Sequence, residues 1–325
     1  MIYRFPADSA YLPRTKLSYV NLPGILSDGK RDRSARVPGY VAVQLGERCF
    51  LVFLRGGEPF FAARIHPGGR GPAALSEVLR LCATESERGE GGQIGYYGAS
   101  EDQLRAMAST LSTEPLPWAE PLDAARPERL FPLLRERSFS GVLELADDGR
   151  HHYLSFDDGA FRTGWFSERA ATVPIPDFLR TVFDVGAGLR ATLYPRLAEL
   201  PVLAGPGFVD LYRRMIGGTL REVALATGRE TALAMLQRGQ GLAAMEHPVV
   251  ASFDITPEGR VAGDPVASPT ALTDGVAAWL TEVLISASDH HGVDPAALVE
   301  RVARDSRFVL QEQGFFARLP WAVAL

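Results

Sequence analysis

Three short clusters in this 325-residue sequence contain residue types that could support binding or catalysis. The first is GEGGQIG (89–95), which looks like a dinucleotide-binding fingerprint. In such a fingerprint the glycines follow a strand and open a helix, so that a phosphate meets the helix N-terminus. Here the glycines follow a predicted helix and precede a predicted strand, which favours a flexible connecting loop.

The second cluster contains His151 and His152 beside Asp147 and Asp148. Neighbouring residues on a strand point to opposite faces of a sheet, so the two imidazoles are poorly placed to chelate one metal ion. An exposed polar turn is the simpler interpretation. The sequence contains no Walker loop, GxSxG elbow or HExxH motif. We therefore predict a protein that is not an enzyme and needs no cofactor or metal.

The third cluster is aromatic. Phe60-Phe61 and Trp165-Phe166 each lie on the third predicted strand of two similar segments, and Trp279 lies on a predicted helix. Core packing is the ordinary role of such residues. Adjacent bulky side chains on a short sheet face both sides, however, so one of each pair can remain exposed. These five aromatic residues are our candidate protein-contact residues.

Composition restricts the possible functions further. The net charge of −5 argues against general nucleic-acid binding, which requires a basic surface. Cys49 and Cys82 are too few for a disulfide framework and are expected to be buried thiols in a reducing compartment. The N-terminus lacks a signal-peptide pattern, and no run of about 18 apolar residues occurs. We expect a cytoplasmic protein without membrane insertion.

The elements that carry these clusters occur twice. Residues 38–65 and 140–166 each predict a three-stranded meander with glycine turns, in which apolar residues alternate along the first strand. We align them with one extra residue in the first hairpin of the second copy, so that Phe53 matches Phe156. Each meander is followed by a predicted helix that begins near a proline and by a short strand. Helices over 17–31 and 127–138 are predicted to precede the two meanders.

A helix over 100–112 and a proline-rich linker over 113–122 separate the two copies. Beyond residue 200 the pattern becomes helical, with periodicity over 208–239 that is interrupted near Gly217-Gly218 and Gly228. Further helices are predicted over 268–292 and 294–314. The fold class is therefore α+β: two tandem antiparallel meander-plus-helix modules followed by an α-helical C-terminal region. The predicted domains are 1–122, 123–200 and 201–325.

The repeated pattern Gly-x-Leu-x-Leu, a turn, and an aromatic strand ending in Phe-x-x-Gly resembles the PatA N-terminal-like (PATAN) domain of bacterial signalling proteins. The resemblance covers 17–112 and 127–196. It rests on Gly141, Leu143, Leu145, Gly149, Tyr153, Phe156 and Gly159, and in the first copy on Gly39, Val41, Val43, Gly46, Leu51, Phe53 and Gly56.

PATAN domains occur joined to response-regulator, kinase or small-GTPase-regulating modules and are thought to mediate protein contacts. The resemblance therefore implies a bacterial signalling scaffold or adaptor that binds another signalling protein, its own copy, or both. The first copy departs from the family pattern, because LSDGKRDRSARVPG places additional polar residues before Gly39.

A sensor of an anionic metabolite or nucleotide is the alternative function. Its site would lie between the two modules, since binding pockets often form between domains. Arg55, Arg64, Arg162 and Arg190 would supply the guanidinium groups that hold the anion.

Overall fold

The computed structural model describes residues 2–22, 24, 26, 38–89, 91–118, 126–170, 172–184 and 188–323. The chain forms two compact units. Residues Met1–Ala73 and Val78–Pro201 make up the first unit, and Val202–Leu325 with Ala74–Glu77 make up the second. The predicted boundary near residue 122 lies outside the described residues.

The first unit contains two antiparallel sheets, one from each predicted module. The first sheet has six strands in the order β1-β6-β2-β3-β4-β5. Their bounds are β1 Ser9–Lys16, β2 Gly39–Leu45, β3 Arg48–Arg55, β4 Glu58–His66, β5 Gly69–Pro72 and β6 Gln93–Gly98. Strand β1 was not predicted from the sequence.

The second sheet repeats the inner part of the first. Its strands are β7 Gly141–Asp147, β8 Arg150–Asp157, β9 Ala160–Phe166 and β10 Arg190–Tyr194. Their order β10-β7-β8-β9 matches β6-β2-β3-β4. Both meanders also carry a β-bulge at the same place, between Phe53 and Leu54 in the first module and between Ser155 and Phe156 in the second. The predicted duplication and the α+β class are therefore confirmed.

Strand pairing corrects our alignment of the two modules. Leu45 pairs with Arg48 and Asp147 pairs with Arg150, so both first hairpins have two-residue loops and the second contains no extra residue. Leu54, not Phe53, is therefore the counterpart of Phe156. The error arose from matching two Phe-x-x-Gly strings, and it moves each side chain after the hairpin to the opposite face, because side chains alternate along a strand.

Each module has a glycine at the start of its first meander strand for the same steric reason. A Cβ atom at Gly39 would lie 2.3 Å from the carbonyl oxygen of Tyr97, and one at Gly141 would lie 2.4 Å from that of Tyr194. These carbonyls belong to equivalent neighbouring strands, β6 and β10. Any larger residue would push the strands apart at the point where they pair.

Four helices of the first unit have described bounds: α1 Leu75–Arg88, α2 Glu101–Ser112, α3 Pro127–Glu136 and α4 Ile175–Phe183. The predicted helix over 17–31 is represented by a 3₁₀ turn at Leu17–Tyr19 and by helical residues 22, 24 and 26; its remaining positions lie outside the described residues. Helix α2 begins, as predicted, at Ser100, whose hydroxyl accepts a hydrogen bond from the Gln103 backbone amide.

The second unit is largely helical, as predicted. Its helices are α5 Pro206–Thr227, α6 Arg229–Ala244, α7 Pro269–His291, α8 Pro295–Ala303 and α9 Arg307–Glu312, with a small hairpin of β11 Asp254–Ile255 and β12 Val261–Ala262. The predicted interruption at Gly217-Gly218 is wrong, because α5 continues through both glycines and ends before Gly228. The predicted helix over 294–314 is divided into α8 and α9 by a 3₁₀ turn at Arg304–Ser306.

The core of the second unit centres on Trp279 of α7, which has no solvent exposure. Its indole Nε1 donates a hydrogen bond to the Leu236 carbonyl at 2.9 Å, so its polar atom is satisfied inside the core. No helix in the described part of the chain has both the length and the apolar character that crossing a bilayer requires.

Candidate functional site

The two sheets of the first unit meet across α2. This helix contacts β2 and β5 of the first sheet and β7 and β8 of the second. Buried residues lie on more than one face of this helix, and they include the polar Gln103, Ser109 and Thr110. Helix α2 is therefore an internal layer between the two modules and not a surface helix with one apolar stripe.

The N-terminal residues bridge the same junction. The Arg4 amide donates to the Gly149 carbonyl at 2.8 Å, and the His151 amide donates to the Arg4 carbonyl at 2.9 Å. On the other side, the Tyr40 hydroxyl donates to the Pro6 carbonyl at 2.8 Å. The segment thus pairs with β8 of the second module while it is anchored to β2 of the first.

A buried ion pair joins the two modules directly. Arg70 of β5 donates to Glu144 of β7 through both terminal nitrogens, at 2.6 and 2.5 Å. It also contacts the hydroxyl of Tyr194 on β10. Glu144 is only 3% exposed, while Arg70 is 21% exposed. A bidentate pair of this kind restricts both the distance and the orientation of its partners. It therefore helps to fix the position of the first sheet relative to the second.

The second partner of Glu144 is His151, whose Nδ1 lies 2.9 Å from the carboxylate. The ring of His151 stacks on Phe5, with centroids 4.9 Å apart. Burial opposes ionisation of Glu144, but the hydrogen bonds from His151 and Arg70 and the charge of Arg70 lower the pKa of the carboxyl to about 2. Glu144 is therefore an ionised, fully engaged carboxylate at neutral pH.

His152 points away from this junction, as the alternation along a strand requires. It packs against Phe166 and Phe178, and its Nδ1 accepts a hydrogen bond from the Ser167 amide at 3.2 Å. Burial lowers its pKa to about 4. The two histidines thus face opposite sides of the sheet, as predicted, but the expected exposed turn is wrong: both lie on β8 and are buried.

These buried groups form a structural network without the features of a catalytic centre. The Glu144 carboxylate is committed to Arg70 and His151, which leaves it poorly suited to act as a base. Both cysteines are buried, and burial raises the pKa of each thiol to about 12. In the described ranges, no group of three or more His, Cys, Asp or Glu residues could hold a metal ion.

The structure places four of the five predicted contact aromatics in the core. Phe60, Phe61, Phe166 and Trp279 are buried, and Trp165 is half-buried. The prediction assumed that one face of a short sheet remains open. The inner strands are instead covered on both faces: every residue of β3 between its two ends is buried, as is every residue of β7. The four buried side chains stabilise the fold and are not available as a contact surface, whereas Trp165 stays partly accessible on β9.

The four arginines of the predicted anion site are not brought together. Arg55 and Arg64 lie near opposite ends of the β3–β4 hairpin, about 20 Å apart by strand rise. Arg162 and Arg190 lie on the two outer strands of the second sheet. Two of the four are held by local carboxylates: Arg55 by Glu101 and Arg162 by Asp157.

A cavity of about 430 Å³ does lie at the junction, but its lining arginines are Arg4, Arg14 and Arg169. Each guanidinium is already engaged. Arg4 pairs with Glu168 at 3.0 Å, Arg14 donates to the Tyr3 carbonyl, and Arg169 donates to the Val173 carbonyl. Glu168 thus neutralises Arg4, whereas Arg14 and Arg169 keep their charge and are held in place by backbone carbonyls.

A more open feature lies on the outer side of the second module. Helices α3 and α4 and the β8–β9 hairpin enclose a groove of about 760 Å³ that is mainly apolar. We call it the Phe161 groove; its lining includes Phe131, Pro132, Arg135, Phe156, Phe161 and Leu179. Phe161 is 42% exposed, so a large aromatic ring stands open to solvent there.

The hairpin tip beside this groove is fixed by close packing. A Cβ atom at Gly159 would lie 2.5 Å from the Cα of Arg135, and Gly159 also has a φ of +72°. The β-bulge of β9 changes the alternation of side chains, so Phe161 falls on the same face as Phe156, its ring partner at 5.9 Å. Local backbone geometry, and not residue order alone, thus presents Phe161 to the groove.

In comparisons with known proteins, no family model, no curated protein and no solved structure matches this chain.

Proposed function

We propose that this protein is a non-enzymatic adaptor of the PATAN-like type, acting in the cytoplasm of a bacterium by binding an extended segment of another signalling protein. The main observation behind this proposal is that β9 is the last strand of the second sheet and that its outer edge lies beside the Phe161 groove. The partner segment would add a strand to this edge and place an apolar side chain in the groove, a recognised mode of peptide binding.

The internal duplication supports an extended occupant. In the first module, β5 covers the C-terminal part of the outer edge of β4, with pairs from Ala63–Pro72 to His66–Gly69. Strand β9 is the counterpart of β4, yet in the described part of the chain no strand pairs with its outer edge. The counterparts of Ala63 and Arg64 are Trp165 and Phe166, so the edge that β5 covers in the first module is left open along the end of β9 in the second. Open edges are templates for pairing with another chain.

The side chains of β9 support the same proposal. Ala160, Phe161 and Arg162 are exposed, while Thr163 and Trp165 are half-buried. A peptide strand along this edge would cover these residues and bring every second side chain towards the apolar lining of the groove. We therefore expect a ligand sequence with apolar residues at alternating positions and no proline between them.

Selection of short peptides from a displayed random library against the full chain tests this proposal. We expect the selected peptides to share apolar residues at alternating positions. Hydrogen–deuterium exchange of the full chain with a selected peptide should show protection of the amides of residues 160–166. Phe161→Glu should weaken peptide binding at least tenfold, because it places a charge in the apolar contact.

Phe308→Glu is the matched control, since Phe308 is 85% exposed and belongs to the second unit. It should leave the affinity unchanged. Equal binding to the Phe161→Glu variant, or protection confined to other residues, would contradict the proposal. A dimer that the Phe161→Glu substitution converts to monomer would assign the edge to a second copy and would also overturn the choice of a foreign segment.

A further inference from the structure

We infer that the second unit contains a binding site for a small molecule with two or more phosphate groups. The site is a cavity of about 510 Å³ between α5, α8 and the β11–β12 hairpin. This volume lies in the range of small-molecule sites. The inference does not depend on the adaptor function, since all residues of the site belong to the second unit.

Five arginines line this cavity, and α5 contributes three of them. Arg213, Arg214 and Arg221 belong to α5, Arg260 to the loop that precedes β12, and Arg301 to α8. Guanidinium groups that reach one cavity from three elements can contact different sides of a bound molecule. Their planar forks match the oxygen pairs of phosphate.

Two of the five arginines already have partners within the protein. Arg213 donates to the Gly263 carbonyl and pairs with Asp210 at 2.6 Å and Asp264 at 2.9 Å. Arg301 pairs with Glu222 at 2.9 Å. These contacts hold the β11–β12 hairpin and α8 against α5, and so they fix the walls of the cavity.

The other three guanidinium groups remain uncommitted. Those of Arg214, Arg221 and Arg260 make no hydrogen bond or ion pair with any described residue. Asp305 is the one further carboxylate among the lining residues. The cavity therefore carries surplus positive charge although the whole chain is negative. A concave cationic surface attracts and concentrates anions.

Gly217 provides a second, independent observation. Glycine is less favourable than alanine inside a helix, yet α5 continues through Gly217. Packing explains the neighbouring Gly218, because a Cβ atom there would lie 2.7 Å from the Val302 side chain. A Cβ atom at Gly217 would approach Val261 no closer than 3.9 Å. Among the described residues no backbone or side chain requires glycine at this place, and its nearest neighbours are Val261 and the guanidinium of Arg221, both of which line the cavity.

The arrangement favours a polyphosphate over a single phosphate. Arg214 and Arg221 lie one turn before and one turn after Gly217-Gly218, and their Cα atoms are about 10 Å apart along the helix axis. A single phosphate cannot fill both ends of such a site. The other lining groups include the aliphatic Leu211 and Val261 but no aromatic ring, so the phosphate chain and not a stacked base would be recognised.

Isothermal titration of the full chain with pyrophosphate tests the inference. We expect saturable one-to-one binding that weakens as salt concentration rises, and inorganic phosphate should bind at least tenfold more weakly than pyrophosphate. Arg214→Gln and Arg221→Gln should each reduce pyrophosphate affinity about tenfold or more. Arg238→Gln is the matched control, because Arg238 is an exposed arginine on α6 outside the cavity, and it should change affinity less than twofold.

A glycine pair separates binding from stability. Gly217→Ala and Gly241→Ala should each raise the thermal midpoint by roughly a few degrees, since both remove a helix glycine at a position where a Cβ atom would cause no clash. Only Gly217→Ala should weaken pyrophosphate binding. Non-saturable binding, equal losses in the Arg238→Gln control, or equal affinity for inorganic phosphate would each overturn the inference. Tighter binding of polyglutamate than of pyrophosphate would assign the cavity to acidic peptides and would overturn it as well.

Discussion

Replacing Arg70 with methionine should leave the Glu144 carboxylate buried with one hydrogen-bonding partner. Breaking a buried pair by removing one member typically costs about 3–5 kcal/mol. The pKa of Glu144 leads to a similar figure. The drop from 4.5 to about 2 corresponds to a preference for the charged form of about 3 kcal/mol. We therefore expect Arg70→Met to reduce the free energy of unfolding of the first unit by about 3 kcal/mol.

A double-mutant cycle isolates this effect. Glu144→Gln removes the charge, so Arg70→Met combined with Glu144→Gln should be more stable than Arg70→Met alone. Hydrogen–deuterium exchange of residues 141–157 should be used to monitor the urea unfolding of each variant. This readout reports on the first unit, whereas tryptophan fluorescence also reports on Trp279 of the second unit.

The exposed pair between Arg180 and Asp177 provides the control, with Arg180 77% exposed. Arg180→Met should change stability by no more than about 0.5 kcal/mol. If Arg70→Met has an equally small effect, or if the double variant shows simple additivity, Glu144 is not desolvated and the junction argument is refuted. Acid provides a second check. Because the folded pKa of Glu144 is lowered, its stabilisation is complete above about pH 4.5 and is lost as pH falls towards 2.

Three further substitutions test other parts of the fold. His152 has a folded pKa of about 4, so the unfolded chain takes up its proton first and stability falls from about pH 6.5 to 4. His152→Phe should abolish that loss, which is about 2 kcal/mol in the free energy of unfolding between pH 7 and 4.5 as measured by urea titration. An unchanged pH dependence would contradict the burial of His152 as the neutral form. Gly141→Ala should expose the amides of β10 to hydrogen exchange, because the new Cβ meets the Tyr194 carbonyl at 2.4 Å; native exchange rates there would show that the strands can separate without cost. Trp279→Phe removes the indole hydrogen bond to the Leu236 carbonyl and leaves a void in the core. It should destabilise the second unit by about 2 kcal/mol in calorimetry, whereas an unchanged transition would refute this packing.

Local periodicity was sufficient to predict most elements of this chain. Alternating apolar residues predicted the meander strands, and proline or serine at helix starts predicted α2 and α7 closely. Recurrence of the same pattern also predicted the repeated strand order. The exact correspondence between modules was not predictable in this way, because a hairpin register depends on backbone pairing, and a one-residue slip leaves the string of letters equally plausible.

The junction network had only a partial signal in the sequence. In GVLELAD, Glu144 lies on the face opposite Leu143 and Leu145, which indicates a polar or paired position on that face. Nothing near it in sequence indicates Arg70, which is 74 residues away. The same holds for the arginines of the second unit, which reach one cavity from separate elements.

The sequence by itself therefore determined the type of each element and the existence of a repeat, because both follow from local residue preferences and their spacing. The tertiary structure decided which faces are covered, which charges are paired and which glycines lack a packing role. Those properties depend on atoms from distant segments that share a low-dielectric interior or a common cavity. Candidate aromatics thus became core residues, while an apolar groove, an open strand edge and an arginine-lined cavity emerged from packing alone.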